Sequence, residues 1–177
     1  RIALGGNAWL HTQVPFYAQP HQVLTPGREF WSSTGGKAQL EVARWTPPGD
    51  TSLVLTSQRV PDPVTPGQRD SAMAEIRERL TERVPNLPRL DPSRVPAHKP
   101  PVYDLSLDDR RRLWVRLSGP NADSTVFDVF SRDGRYAETV LMRFRVDAWV
   151  PPVVKGDTVW AVVTDELDVQ YVARSRI

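Results

Sequence analysis

One pattern occurs three times in this chain: a short apolar stretch, a polar turn, then a stretch that carries a tryptophan. It reads HQVLTPGREFWSS at 21–33, VYDLSLDDRRRLWVRLS at 102–118 and VPPVVKGDTVWAVVT at 150–164. An alternating stretch follows each copy: AQLEVARW (38–45), STVFDVFS (124–131) and DVQYVARS (168–175). Within these, Val42-Ala43-Arg44 returns as Val172-Ala173-Arg174. After the first two copies a glycine turn, TPPGDT or SRDGRY, leads to a fourth stretch, SLVLTSQRV (52–60) or YAETVLM (136–142). Alternation at period two marks strands with one buried face, and short polar turns join such strands as antiparallel neighbours. Seventeen prolines and ten glycines supply the turns and leave little room for long helices.

Trp31, Trp114 and Trp160 therefore stand at equivalent positions, where an indole fills the wedge between neighbouring sheets. Trp114 and Trp160 are 46 residues apart, a spacing that suits one four-stranded propeller blade. Trp31 and Trp114 are 83 apart, and the excess is an insertion over 61–101. The expected fold is mainly β: antiparallel four-stranded propeller-type blades, about three of them in an incomplete ring, with one inserted amphipathic helix. It is expected as a single domain over 1–177, with blade units at about 13–60, 102–146 and 148–177. In the insertion, Thr65-Pro66-Gly67-Gln68 fits a capping box with proline at the first helical position. Met73, Ile76 and Leu80 continue an apolar stripe, Val84-Pro85 ends the helix, and a proline-rich connector runs over 84–101.

These residues resemble bacterial exported six-bladed β-propellers of the TolB/NHL-like type. DLSLDDRRRLWVR and FDVFSRDGRYAETV are similar to that family's blade motifs, and VVKGDTVWAVVTDELDVQYVARSRI to its last blade. The likeness covers nearly the whole chain and is densest over 100–177. It implies an exported protein, periplasmic or membrane-associated from the periplasmic side, that carries the later blades of a ring. Ile2–Thr12 is then expected as the outer strand of a preceding blade, and Asp168–Ile177 as a strand in need of a neighbour. Such a fold does not itself specify chemistry.

A search for chemistry returns little. G-x-S-x-G, H-E-x-x-H and G-x-G-x-x-G are all absent. SSTGGKAQ (32–39) has a glycine–lysine step without P-loop spacing and reads as a hairpin loop. His11, His21 and His98 lack ligand spacing; His21, at the start of an innermost strand, is the one that would matter at a channel mouth. The acids Asp108 and Asp109, and Asp165, Glu166 and Asp168, fall at turns, where aspartate bonds to the backbone. No cysteine is present, which excludes thiol catalysis and disulfides. The formal charge of +2, without a basic–aromatic face, argues against nucleic acid.

The expected function is a non-enzymatic interaction or structural module without cofactor or metal. It would be an exported accessory subunit that docks on and stabilises a larger complex, membrane-embedded in the manner of photosynthetic or respiratory assemblies. Its partners would be other protein chains, met through open strand edges and the helical insertion. The docking candidates are Met73, Ile76 and Leu80 on the helix and Arg110, Arg111 and Arg112 in the DDRRR turn, which could also touch a membrane surface. Two alternatives stand beside it: a propeller-type ligand binder, hydrolase or lactonase with a metal at the channel mouth, using His21 with Asp104 or Asp128, and a fragment of a full six-bladed propeller.

Overall fold

Strands form at each alternating stretch. The computed structural model describes residues 2–5, 8–10, 12–34, 39–57, 59–82, 84, 87, 90–118, 123–147, 149–165, 167 and 169–177. The fold is mainly β and holds, among the described residues, antiparallel sheets of four, four and three strands, a two-stranded hairpin and one α-helix. Contacts divide the chain into two compact units, residues 1–17 with 62–99 and residues 18–61 with 100–177.

In the smaller unit Ile2–Gly5 (β1) pairs with Ala8–Leu10 (β2). Pro66–Thr81 forms helix α1. Its capping box is complete: the Thr65 hydroxyl accepts from the Gln68 amide, and the Gln68 side chain accepts from the Thr65 amide. Ile76 and Leu80 are the buried residues of α1. The insertion enters and leaves through a short neck, where Lys99 N donates to Asp62 O and Val64 N to Ala97 O.

The larger unit holds three sheets. His21–Leu24 (β3), Phe30–Ser33 (β4), Leu40–Thr46 (β5) and Asp50–Ser57 (β6) make the first, in chain order. Asp104–Leu107 (β7), Leu113–Leu117 (β8), Thr125–Phe130 (β9) and Tyr136–Met142 (β10) make the second. Val153–Lys155 (β11), Thr158–Thr164 (β12) and Gln170–Arg176 (β13) make the third, which has no counterpart of β6 or β10 among the described residues.

Each sheet has a leading face, toward the sheet before it, and a trailing face, toward the one after. Trp31, Val42 and Leu55 on the trailing face of the first sheet share one buried cluster with Leu105, Leu113, Val115 and Phe130 of the second. Trp114, Phe127 and Val129 on the trailing face of the second share another with Val154, Val159 and Ala161 of the third. The middle sheet is thus covered on both sides. This explains why TVFDVF of β9 is buried at every residue, where a strand with one wet face would alternate.

Hydrogen bonds stitch the sheets at their turns. Arg44 Nη1 donates to Arg132 O, 2.8 Å away in the β9–β10 turn, while its guanidinium lies 5.6 Å from the Trp31 ring centroid. That turn comes close to the first sheet at Gly134 (φ +84°), where an added Cβ would lie 2.3 Å from a Leu53 methyl. On the other side, Asp109 N donates to Val154 O and the Asp109 carboxylate accepts from Gly156 N.

Candidate interaction surface

The three repeated tryptophans sit in one register. Val23 pairs with Trp31 and Trp31 with Arg44; Ser106 pairs with Trp114 and Trp114 with Val129; Val153 pairs with Trp160 and Trp160 with Arg174. Trp31 and Trp114 are 2% and 0% exposed, each in a cluster that spans two sheets. Trp160 is half-buried. It lies on the trailing face of the third sheet with Val153, Val162, Val172 and Arg174, since the opposite residues Val159, Ala161 and Val163 are buried. Val153 and Val172 are 64% and 67% exposed. The face that buries its tryptophan in the first two sheets is therefore open, among the described residues, in the third.

The same sheet leaves an edge. Among the described residues no strand pairs with the outer side of β13, so along its seven residues the outward N–H and C=O groups have no described ladder partners. Such an edge is a template for adding a strand from another chain.

The other docking candidates are placed differently. Ile76 and Leu80 are buried and Met73 is half-buried, so the stripe of α1 is largely covered. Arg110 and Arg111 are exposed at the β7–β8 turn. Arg112 is engaged within the chain, with Nε donating to Asp108 Oδ2 at 2.6 Å and Nη1 to Glu138 Oε1 at 3.1 Å. The hub of that turn is Asp108, expected from the sequence as a turn acid bonded to the backbone. Its side chain is 0% exposed, and it also accepts from the amides of Arg110 and Arg112 and from Trp114 Nε1. The signal for it lay in the spacing: in a hairpin, an acid six residues before a tryptophan can reach back across the turn.

At the first residues of β3 and β7, His21 Nδ1 lies 3.9 Å from Asp104 Oδ1, with both side chains about a quarter exposed. Asp104 is also opposite Arg116, whose guanidinium donates to Val146 O and Asp147 O. Burial pushes Arg116 below its ordinary value, opposed by Asp104. Asp128 is not part of this group; it accepts from the Thr139 hydroxyl. His11, residues 35–38 of the SSTGGKAQ loop, Pro85, and the acids Glu166 and Asp168 lie outside the described residues. Among the described residues, no group of three or more His, Asp or Glu side chains could hold a metal ion.

Burial holds His21 below its ordinary value of about 6.5 and outweighs the upward pull of Asp104. The unfolded chain therefore takes up a proton at this imidazole before the folded chain does. The stability linked to His21 is complete above about pH 6.5 and is lost as pH falls toward the lower folded value. Urea midpoints measured between about pH 7 and about pH 5 are expected to fall more steeply for the native chain than for His21→Gln. Equal slopes would show that His21 carries no such linkage.

No known protein family, curated protein or solved structure matches this chain. Among the described residues no helix is long and apolar enough to cross a membrane.

Proposed function

We propose that this chain is a non-enzymatic interaction module, built of propeller-type blades in an incomplete ring, that docks another polypeptide against its third sheet. The observation that carries this is the open trailing face of that sheet, where Val153 and Val172 stand exposed beside Trp160. A valine side chain contributes about 1.5 kcal/mol when taken out of water, and a fully covered indole more. The unpaired outer edge of β13 adds main-chain hydrogen bonding to the same site. Periplasmic export and service as an accessory subunit of a membrane-embedded assembly are part of the proposal; they rest on the resemblance to exported propellers.

The test is to place a photo-crosslinking amino acid at Val172 in the producing cell, irradiate, and identify the attached chains by mass spectrometry. The expected result is a discrete adduct with one polypeptide, lost when the crosslinker is moved to the exposed helix position Glu78. Absence of any adduct at Val172, with position 172 open to hydroxyl-radical labelling in the cell, overturns the docking reading.

A second reading, a ligand-binding or hydrolytic propeller, draws on the approach of His21 to Asp104. It requires that a divalent cation or small substrate raise the melting temperature in the native chain and not in Asp104→Asn.

A further inference from the structure

The occupant of the open face can be read from the repeat, given the docking reading above on which this rests. Sheets one and three share a motif that sheet two lacks. Val23–Trp31–Arg44 and Val153–Trp160–Arg174 are the same three residue types on the same three strands in the same cross-strand register. In sheet one the function of that motif is visible. Trp31 is buried against the next sheet, and Arg44 reaches past it to a main-chain carbonyl, Arg132 O, in that sheet's last turn. The motif is a device for receiving another sheet of the same construction. The sheet that Val153, Trp160 and Arg174 receive therefore needs two things: an apolar leading face, and a last turn with an available carbonyl.

The first sheet of this chain has both. Its leading face carries Leu24 and Val54, 75% and 49% exposed, beside Phe30 and Trp45, whose rings stack at 6.0 Å. The corresponding leading faces of the second and third sheets are buried by their predecessors. Its β5–β6 turn closes with the same hydrogen bond as the β9–β10 turn. Gly49 N donates to Thr46 O at 2.7 Å as Gly134 N donates to Ser131 O at 2.8 Å, and both glycines have positive φ. Pro47 thus holds the sequence position in its turn that Arg132 holds, with a cis Pro47–Pro48 peptide after it. At Gly134 the preceding sheet fills the space beside the turn, while at Gly49 nothing lies within 4 Å of an added Cβ.

We propose that the trailing face of the third sheet takes the leading face of the first sheet of a second copy of this chain, with Arg174 donating to a main-chain carbonyl of the β5–β6 turn as Arg44 donates to Arg132. The contact is head-to-tail, so the two surfaces are different and successive copies either close a ring or extend.

A head-to-tail contact makes a prediction that a face-to-same-face dimer does not. Val172→Asp disables only the trailing face, and Leu24→Asp only the leading face; both residues are mostly exposed, so the fold is retained, which far-UV circular dichroism checks. Sedimentation velocity on the full-length protein is expected to show concentration-dependent association for the native chain and monomer for each variant alone. An equimolar mixture of the two variants is expected to give a dimer, because each supplies the face the other lacks. Arg174→Ala weakens association of the native chain about tenfold, the effect of one charged hydrogen bond.

Persistent association of Leu24→Asp by itself shows a symmetric contact and overturns the proposal. So does a native chain that stays monomeric at every concentration. In that case the Val172 crosslink separates the two readings: an adduct with a different polypeptide leaves the docking function standing with another occupant, and no adduct removes both.

Discussion

Trp114→Ala is expected to destabilise the chain by about 3–5 kcal/mol, the range for removing a large aromatic side chain from a close-packed core. Trp114 is 0% exposed, packs edge-on to Phe127 at 5.6 Å, and lies in the cluster that joins the second and third sheets. Its loss leaves a cavity between two sheets, and it removes the donor that reaches Asp108. Trp160→Ala is the control. The same residue type in the same register is only half-buried, so its cost in the monomeric chain is expected to be less than half as large. Guanidinium unfolding of both variants measures the difference. Equal losses would mean that the third sheet's trailing face is already covered in solution.

Asp108→Ala is expected to cost about 3 kcal/mol. Removing one partner of a buried, hydrogen-bonded ion pair typically costs about 3–5 kcal/mol, and the figure belongs at the low end because Arg112 is 19% exposed and keeps Glu138 as a second partner. Four donors lose their acceptor: the amides of Arg110 and Arg112, Arg112 Nε and Trp114 Nε1. Arg111 holds φ at 61° in the same turn, a conformation that the Asp108 bonds on either side help to maintain. Asp108→Asn keeps an oxygen that can accept from the backbone and should lose less. Thermal unfolding followed at the tryptophan band reads both variants, and a cost below about 1 kcal/mol for the alanine variant would show the carboxylate to be dispensable.

Strand order was legible in the sequence because each sheet is a meander whose neighbours follow one another in the chain, so local alternation and turns carry the pairing. The fourth stretch YAETVLM is β10 to the residue. The capping box of α1 was legible for the same reason, since its bonds span three residues. What could not be read was anything that depends on the approach of two sheets. Val-Ala-Arg was visible as a repeat, but the use of Arg44 as a tie to the Arg132 carbonyl depends on a turn 88 residues away. The backbone bonds of Asp108 were legible as those of a turn acid, but not its burial beneath Arg112 and Trp114. His21 and Asp104 lie close to each other, each at the first residue of the first strand of its sheet, whereas Asp128 bonds to Thr139.

The neck of the insertion sets the terms on which this protein can change. Asp62 and Lys99 are hydrogen-bonded neighbours, so the 36 residues between them leave the chain and return to it at one point. A segment tethered in this way works as an interchangeable cassette. Lengthening it beyond the neck is expected to leave the bond from Lys99 N to Asp62 O that closes it in place. The entropy of closing a longer loop at the neck grows only logarithmically with its length. The sheets are locked to one another through their shared buried clusters, whereas a change of length between Asp62 and Lys99 bears first on the unit that this segment forms with residues 1–17.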